Sequence, residues 1–406
     1  MRMLLSFGAL FLSIILLQVS SGGVGPLDAV TGLGLGFSAG EVGLLGSAHF
    51  AGFFMGCWWA PRLMGAVGHS RAFAAFTAMG AIGLLGHTLI IDPLAWGLFR
   101  IGSGICVAGC YTVVEAWLQA KVTNETRGRT MGIYRFVDLG ASLMAQMMIG
   151  VLASVETYIA YNLLTIICCA SLLPLTLTRA SPPVTGAALR LRPALAFQRS
   201  PLAVGGVLVA GLTASAYRMV GPIYGAEVGL APRDIGLFLA AFVAGGALAQ
   251  YPAGWMADRF DRRAVLIGFS ALAIGSCWIS TFATGTQGIL AASFLFGFVT
   301  FPIYSISAAH AHDFAQSDER AELSAALLFY YAVGAIFSPI IVARLIDALG
   351  PMSFFAYIAI GHLALILLTL ARRLVRPTVE ERTRYVYAPR TSFLIGRLLK
   401  DRRDRN

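Results

Sequence analysis

The sequence predicts an all-α integral membrane protein with twelve transmembrane helices arranged as two six-helix pseudo-repeats. The composition, the spacing of the apolar blocks and an internal repeat support this fold class. Of the 406 residues, 57% are hydrophobic and 12% are charged, and the mean hydropathy is +0.75. Soluble domains carry about 25% charged residues, so the composition disfavours a water-soluble enzyme.

Twelve apolar blocks have the length of membrane spans. A helix needs about 20 apolar residues to cross a hydrocarbon core of ~30 Å. The first block is too long for a secretory signal peptide and no polar domain follows it, so we interpret it as the first span. The predicted spans are 4–25, 41–60, 72–91, 95–118, 130–153, 157–177, 201–221, 235–256, 264–283, 287–309, 323–346 and 352–372.

Basic residues concentrate in alternate loops of this arrangement and at the chain ends. Because such residues favour cytoplasmic loops, both termini are predicted to be cytoplasmic, in a multi-pass protein of the cell membrane. The predominance of arginine among the basic residues favours a bacterial inner membrane. The net charge of +10 is then a topology signal, and no nucleic-acid partner is expected. The opposite loops are predicted to carry Asp28, Glu41, Asp92, Glu156, Glu227 and Asp234, together with Arg233.

A segment rich in Pro and Arg divides the chain into two halves. The predicted domains are an N-terminal bundle at 1–178, a cytoplasmic linker at 179–200, a C-terminal bundle at 201–373 and a basic cytoplasmic tail at 374–406. The halves align at a constant offset of 193 residues, which indicates a parallel duplication. Matched pairs include Gly36–Gly229, Gly43–Gly236, Gly52–Gly245, Gly104–Gly297, Tyr111–Tyr304 and Arg127–Arg320.

The most specific motif lies between spans 8 and 9 and reads Gly254-Trp-Met-Ala-Asp258-Arg259-Phe-Asp261-Arg262-Arg263. It resembles the Gly-x-x-x-Asp-Arg-x-Gly-Arg-Arg signature loop of the major facilitator superfamily (MFS). In span 4, Arg100-Ile-Gly-Ser-Gly104 is similar to that superfamily's Arg-x-x-x-Gly motif. The resemblance implies the MFS fold and a charged latch that holds neighbouring helices in one of two access states. Positive-inside anchoring alone is the alternative for Arg262 and Arg263.

The sequence departs from the superfamily pattern in two places. In the first half, Pro61, Gly65 and Ala66 replace the Gly, Asp and Arg of the latch, and Arg71 remains as its terminal basic residue. We therefore expect a one-sided latch. Span 5 lacks the Gly-Pro motif of proton-driven antiporters, which disfavours drug efflux of that kind.

A further set of residues resembles the YcaD-like branch of the superfamily. It consists of Glu115-Ala-Trp117-Leu118, Arg127-Gly-Arg129, Tyr134 and Gly68-His69-Ser70-Arg71. This resemblance implies no particular substrate.

Charged side chains inside the predicted spans are candidates for function, since a charge at the bilayer centre costs ~2.5–3.5 kcal/mol. Arg135 and Asp138 are three residues apart and share a face of span 5. Either they neutralise each other and stabilise the span, or Asp138 is a protonatable coupling residue tuned by Arg135. Glu115 is expected to be a structural or gating partner, and His49 is a further titratable candidate.

Arg100 and Arg218 lie at similar predicted depth in opposite halves and are candidate substrate-binding residues. Guanidinium groups bind carboxylate or phosphate in a bidentate manner, so two of them on one path favour an anionic substrate. In the alternative, Arg218 extends to the outer surface and Arg100 supports span 4. Tyr111 and Tyr304 are further candidates to hydrogen-bond a substrate.

The sequence therefore predicts a secondary active transporter of a small organic solute that works by alternating access, with proton coupling and a weak preference for anions. An efflux transporter of hydrophobic or cationic compounds and a solute receptor without net flux are the alternatives. There is no G-x-x-x-x-G-K-[ST] run, and His310-Ala-His312-Asp313 fits no metal pattern. We expect no cofactor, metal or enzymatic activity, and a monomer whose partners are the solute, the lipid bilayer and protons.

Overall fold

The structure is a computed structural model that describes residues 2–122, 127–177, 191–316 and 319–375, and helices dominate these ranges. Twelve spans follow one another within these described ranges. Spans 1 to 6 are Arg2–Gly34, Ala39–Val67, His69–Leu89, Pro93–Lys121, Arg127–Met147 with Ile149–Leu152, and Thr157–Ala170 with Leu172–Thr176. Spans 7 to 12 are Pro201–Ser215 continued by Ala216–Val220 and Gly221–Glu227, Pro232–Arg259, Arg262–Phe282, Gly285–Thr300 with Pro302–His312, Arg320–Leu349, and Ser353–Val375.

The predicted fold class is confirmed. Within the described ranges, eleven spans are individually long and apolar enough to cross a membrane. Span 2, which also carries Glu41 and Arg62, packs closely against spans 4 and 11. Helices satisfy their own backbone hydrogen bonds, as a hydrocarbon surrounding requires. The chain is therefore an all-α, multi-pass membrane protein.

The internal repeat is visible as matched contacts between helices. A Cβ on Gly52 would lie 2.0 Å from the carbonyl oxygen of Ile101, and a Cβ on Gly245 would lie 2.0 Å from that of Phe294. The offset of 193 residues relates both members of these two pairs. Spans 2 and 4 therefore pack as spans 8 and 10 do, at a distance that only residues without a side chain permit.

The two halves meet most closely at the distal end, which we define as the end of the bundle opposite the start of span 1. There a Cβ on Gly43 would lie 2.7 Å from the carbonyl oxygen of Pro339, and a Cβ on Gly236 would lie 2.4 Å from that of Gln146. These two contacts are again related by the offset. Spans 2 and 11, and spans 5 and 8, close the distal end between them.

Spans 1 and 7 extend beyond their predicted ends at residues 25 and 221. Span 1 continues to Gly34, so the prediction that Asp28 lies in an outer loop is wrong. Asp28 lies inside the helix, with 1% of its surface exposed. Residues 21–34 are rich in Gly and polar residues, which lowers their hydropathy. Partners from spans 3, 4 and 6 compensate the buried charge, and a single sequence window does not contain that information.

The predicted linker contains a helix, Pro193–Arg199, which we call the linker helix. Its Arg199 Nη2 lies 2.6 Å from Glu319 Oε1, and Arg192 Nη1 lies 3.1 Å from Glu322 Oε2. The linker helix is therefore fastened to the start of span 11. The rest of the predicted linker, at 179–190, and the tail from 376 onward lie outside the described residues.

Candidate functional site

A cavity of about 170 Å³ lies between the two halves. Spans 1, 2, 4 and 5 form one wall, and the repeat-equivalent spans 7, 8, 10 and 11 form the other. Pockets for drug-sized ligands run from about 300 to 1,000 Å³, so this cavity suits a smaller solute. The first wall carries several polar side chains, including Gln18, Ser21, Tyr111, Arg135, Asp138 and Gln146.

Asp138 is the centre of the polar network in this cavity. The Tyr111 hydroxyl donates a hydrogen bond to Asp138 Oδ1 at 2.6 Å and also lies within hydrogen-bond distance of the Gln18 side-chain oxygen. Arg135 Nη1 lies 3.7 Å from Asp138 Oδ2. The pairing of Arg135 with Asp138 expected from their spacing is present, and both line the cavity.

Glu115 is buried in a second polar contact behind the network. The Tyr134 hydroxyl donates to Glu115 Oε1 at 3.1 Å, and Glu115 is 1% exposed. The Arg135 guanidinium lies 4.8 Å above the Tyr134 ring, a cation–π distance. Arg135 is thus placed between the carboxylate of Asp138 and the aromatic ring that holds Glu115.

Arg218 lies in the cavity wall and not at the outer surface. It belongs to a π-helical turn, Ala216–Val220, and precedes the end of span 7 by about 14 Å at 1.5 Å per residue. Single π-turns occur frequently at functional sites. The repeat-equivalent position on span 1 is Gly25, whose Cβ would lie 3.0 Å from Met219 Sδ. Arg218 and Gly25 therefore occupy equivalent places near the axis between the halves.

Arg100 is engaged in a buried cluster and is not among the residues that line the cavity. Its Nε lies 3.3 Å from Asp28 Oδ2, and the Tyr161 hydroxyl donates to Asp28 Oδ1 at 2.7 Å. His87 Nε2 lies 3.6 Å from Asp28 Oδ2 and its ring stacks on Tyr161. Arg100 Nη2 also lies 3.7 Å from Met219 Sδ, the neighbour of Arg218 in span 7, but of the two arginines only Arg218 lines the cavity. Asp28, His87 and Tyr161 were not predicted from the sequence as members of this cluster; the need of a buried Arg100 for an acidic partner is the signal that could have identified Asp28.

The remaining candidates lie at the edge of the cavity. His49 lines it and has its Nδ1 3.3 Å from the Ser103 hydroxyl. Tyr304 is 4% exposed and packs its ring edge-on against Tyr331, with ring centroids 5.5 Å apart. Tyr331 lines the cavity, so Tyr304 supports the wall from behind, whereas its repeat equivalent Tyr111 reaches the solute space.

Arg262 is the centre of an ion-pair cluster in the signature motif, which the sequence predicts to be a latch. Its Nη1 lies 2.6 Å from Asp313 Oδ1 and donates to the Ala309 carbonyl at 2.8 Å, while Nη2 lies 3.7 Å from Asp258 Oδ1. Arg262 is 2% exposed. One guanidinium therefore joins the ends of spans 8 and 10 to the start of span 9. Asp313 was not identified as its partner from the sequence.

The other motif residues cap and anchor these helix ends. Asp261 caps span 9 and accepts hydrogen bonds from the backbone and side chain of Arg263. Burial alone would raise the pKa of Asp261, but the hydrogen bonds from Arg263 hold it below its ordinary value. Arg259 lies 4.7 Å above the Trp255 ring, Gly254 is buried within span 8, and Arg71 is exposed at the start of span 3.

The first half has a different contact at the latch position. His69 stands where the repeat places Arg262, and its ring packs 5.9 Å from that of the buried Trp117. Gly65 stands where the second half has Asp258. An aromatic contact therefore replaces the ion pairs there.

Comparisons with known proteins agree with this architecture. A family model described as Major Facilitator Superfamily matches residues 202–403. The uncharacterized MFS-type transporter YcaD of Salmonella typhimurium is 27% identical over 327 residues, which are 79% of this chain and 83% of that protein. A second MFS-type transporter, from Enterobacter sp. (strain 638), is 26% identical over 340 residues, 83% of this chain and 88% of that protein.

Solved structures with the same fold include two transporters. The nucleoside transporter NupG has a TM-score of 0.69 and 14% identity, over 91% of this chain and 98% of that chain. A bacterial homolog of the human lysosomal transporter Spinster, in an inward-facing and unoccupied conformation, has a TM-score of 0.70 and 16% identity over 98% of both chains. These relatives and neighbours are transporters and not enzymes. The predicted resemblance is confirmed: the chain is similar to the major facilitator superfamily and, within it, to the YcaD-like transporters.

Proposed function

We propose that the protein is a proton-coupled secondary transporter that moves a small organic solute, with a preference for anions, by alternating access. The observation that supports this is the position of Asp138, a protonatable carboxylate in the cavity between the halves. It accepts a hydrogen bond from Tyr111 and faces Arg135. An ionisable residue inside a membrane protein is a candidate for a proton pathway.

Coupling follows from the competition for Arg135. When Asp138 is ionised, it attracts the Arg135 guanidinium and reduces the pull of that cation on a solute anion. When Asp138 takes up a proton, the pair loses its charge attraction, and Arg135 can form a charge-assisted hydrogen bond with the solute instead. Binding of an anion and binding of a proton therefore favour each other.

Alternating access follows from the arrangement of the halves around the cavity. With both termini in the cytoplasm, as the basic loops predict, the closed distal end faces outward. The solute then reaches the cavity from the cytoplasmic side. The likeness to a Spinster homolog solved in an inward-facing conformation supports this state. Rocking of the halves would separate Gly43 from Pro339 and Gly236 from Gln146, opening the cavity to the outside.

Efflux of hydrophobic or cationic compounds is a second candidate function. The wall formed by the second half supports it, because Leu239, Phe242, Val243 and Phe301 present apolar surface to the cavity. In that function Asp138 would attract the cation, and a solute anion would not bind better at low pH.

The test uses purified protein in proteoliposomes with an imposed pH gradient. Solute-dependent proton flux is followed with a trapped pH-sensitive dye, and counterflow is measured for benzoate, uridine and tetraphenylphosphonium against protein-free vesicles. We expect Asp138→Asn to abolish gradient-driven accumulation while counterflow continues, because the variant binds solute but carries no proton. Glu156→Gln, which changes an exposed carboxylate at the start of span 6, is the matched control.

Three outcomes would contradict the proposal in different ways. Gradient-driven accumulation by Asp138→Asn at the wild-type level removes Asp138 as the coupling residue. Counterflow confined to tetraphenylphosphonium assigns the protein to efflux. Saturable binding without counterflow of any probe assigns it to solute sensing without transport.

A further inference from the structure

Span 5 presents a row of three polar residues to the cavity. Asp138, Ser142 and Gln146 follow one another at intervals of four residues, and all three line the cavity. Residues four apart lie on one face of a helix. At 1.5 Å per residue, Ser142 lies about 6 Å and Gln146 about 12 Å beyond Asp138 along span 5, toward the distal end. The row therefore extends from the proposed coupling residue along the solute space.

Two oxygen atoms of this row have no hydrogen-bond donor. Gln146 Nε2 donates to the Gly22 carbonyl of span 1 at 3.2 Å. Because a carbonyl oxygen only accepts, this contact fixes which end of the amide faces span 1. Gln146 Oε1 and Ser142 Oγ are buried and have no hydrogen-bond partner among the residues that the structure describes. A buried oxygen in this state is destabilising until a donor reaches it.

The fold does not need polar side chains at these two positions. The offset of 193 residues places Ala335 and Pro339 of span 11 where span 5 has Ser142 and Gln146. The backbone carbonyl oxygens of residues 146 and 339 make equivalent close contacts with glycines of the opposite half. The second half therefore packs in the same way with apolar side chains at both positions. The polar side chains of span 5 serve something other than packing.

A hydroxyl group is the partner that pairs with both oxygens at once. Gln146 Oε1 only accepts a hydrogen bond, whereas Ser142 Oγ both donates and accepts. Because the two side chains are neighbours on one helix face, a hydroxyl between them can donate to Gln146 and accept from Ser142. An ammonium group would lose its hydration beside two groups that carry no charge, which is costly. An ether has no proton to donate to Gln146.

From these observations we infer that the transported solute is a small hydroxylated carboxylate whose hydroxyl group binds between Ser142 and Gln146. This inference rests on the proposed transport function and names its substrate class. The carboxylate lies at the Arg135 end of the row, where the coupling mechanism binds the anion. The carbon skeleton lies against Phe242 and Phe301 of the opposite wall. The cavity volume of about 170 Å³ limits that skeleton to one ring or a short chain.

The test is equilibrium binding to the detergent-purified full chain by isothermal titration calorimetry. 4-Hydroxybenzoate is compared with benzoate, which lacks the hydroxyl group, and with 4-methoxybenzoate, which lacks the hydroxyl proton. 4-Carbamoylbenzoate and 4-(aminomethyl)benzoate represent amide and ammonium solutes. Quinate and cyclohexanecarboxylate repeat the comparison on a saturated ring. All these probes carry one carboxylate, so the protonation of Asp138 affects the members of each pair alike.

We expect the hydroxylated member of each pair to bind about tenfold more tightly than the member without a hydroxyl group. Tenfold corresponds to about 1.4 kcal/mol, which is within the range that two neutral hydrogen bonds contribute. Ser142→Ala copies Ala335 of the second half, and Gln146→Met keeps the length of the side chain without its oxygen. Each variant should reduce the preference for 4-hydroxybenzoate over benzoate to about threefold or less and leave the affinity for benzoate unchanged.

Ser270→Ala is the matched control. It also removes a buried hydroxyl that has no hydrogen-bond partner within the described part of the chain, but Ser270 belongs to span 9 and does not line the cavity. The preference for 4-hydroxybenzoate stays at the wild-type level in this variant. Thermal unfolding of the ligand-free proteins supplies a second readout. Ser142→Ala should keep the stability of the wild type, because the hydroxyl that it removes has no partner to lose.

The outcomes separate this inference from the transport proposal. Equal binding of 4-hydroxybenzoate and benzoate, tighter binding of the methoxy, carbamoyl or aminomethyl compound, or no binding of any probe at millimolar concentration overturns the substrate class, even if counterflow of another solute is robust. An undiminished preference in folded Ser142→Ala and Gln146→Met overturns the site. A preference that both variants lose, without counterflow of any probe in proteoliposomes, upholds the site and overturns transport. If neither variant folds, the comparison of probes in the wild-type protein decides.

Discussion

Where spans 1 and 4 of the first half hold Asp28 and Arg100, the equivalent spans 7 and 10 of the second half hold Gly221 and Ser293. In the first half, Asp28 and Arg100 form an ion pair between spans 1 and 4, and each residue is 1% exposed. In the second half the Tyr217 hydroxyl donates to Ser293 Oγ at 2.7 Å instead. The Tyr217 ring stacks on its aromatic neighbours, with ring centroids 4.1 Å from Phe242 and 4.8 Å from Phe296.

The difference shows that this packing position does not require charge. One backbone arrangement accommodates either a buried ion pair or a stack of aromatic rings. Buried ion pairs are often no more stabilising than apolar groups of similar volume, but breaking one of them is costly. The first half is therefore expected to tolerate changes here less well than the second.

The largest effect is expected from breaking the ion pair on one side only. Arg100→Ser leaves the Asp28 carboxylate buried without its main cation, at a cost of about 3–5 kcal/mol. Ser293→Ala removes two neutral hydrogen bonds, the one that Tyr217 donates and the one that Ser293 Oγ donates to the Phe238 carbonyl at 2.6 Å, and costs about 1–3 kcal/mol. Thermal unfolding in detergent measures both. The double variant Asp28→Gly with Arg100→Ser, which copies the second half, recovers stability over Arg100→Ser; a double variant as unstable as the single one would contradict this account.

The latch gives the next largest effect and tests the same asymmetry. Arg262→His places the residue of the first half into the second and leaves the buried Asp313 without its charge-assisted hydrogen bond. We expect a loss of about 1.5–3 kcal/mol in stability and slower counterflow, since spans 8, 9 and 10 lose their common contact. His69→Gln in the first half, which removes a ring contact and no ion pair, is the comparison variant. Equal slowing by both changes would show that the latch is not one-sided.

The matched glycine contacts predict equal effects in the two halves. Gly52→Ala and Gly245→Ala each introduce a Cβ against a backbone carbonyl at the same distance, and overpacking of this kind costs about 1–3 kcal/mol. Gly275→Ala, where a Cβ meets nothing within 4 Å, is the control and is neutral or stabilising. The midpoints of thermal unfolding provide the readout. A clear difference between the two contact variants would mean that the repeat is not energetically symmetric.

The smallest effect concerns the linker helix. A hydrogen bond from Arg199 is the main reason that the pKa of Glu319 lies below its ordinary value. A carboxylate with a lowered folded-state pKa stabilises above its unfolded pKa, about 4.3, and this contribution is lost as the pH falls through the folded value. The pair is partly exposed, so Arg199→Gln costs only about 0.2–1 kcal/mol at pH 7. The difference from wild type should shrink as the pH is lowered until Glu319 is protonated in the folded protein, and a pH-independent difference would indicate lost packing instead.

The sequence predicted those parts of the molecule that local composition and regular spacing determine. Apolar blocks of membrane length predict the spans, and the constant offset predicts the duplication that the paired glycine contacts reflect. The spacing of Arg135 and Asp138 predicts their pairing, because residues three apart on a helix share a face whatever the tertiary structure.

The parts it did not predict depend on partners distant in the chain. Asp28 was assigned to a loop because its own segment is rich in Gly, although Arg100 and Tyr161 make its burial possible. Asp313 is bound to Arg262 across 51 residues, a contact that neither residue's neighbours indicate. The π-turn that contains Arg218 has no sequence pattern from which it could be predicted.

The distal contacts have the form of a symmetric homodimer. Gly43 of the first half meets position 339 of the second, and Gly236 of the second half meets position 146 of the first, so each half contributes the same two patches to the other. Such an isologous arrangement is self-complementary by construction. A single six-span half therefore carries both surfaces needed to close against a copy of itself, and a protein half this length could form the same closure as a dimer.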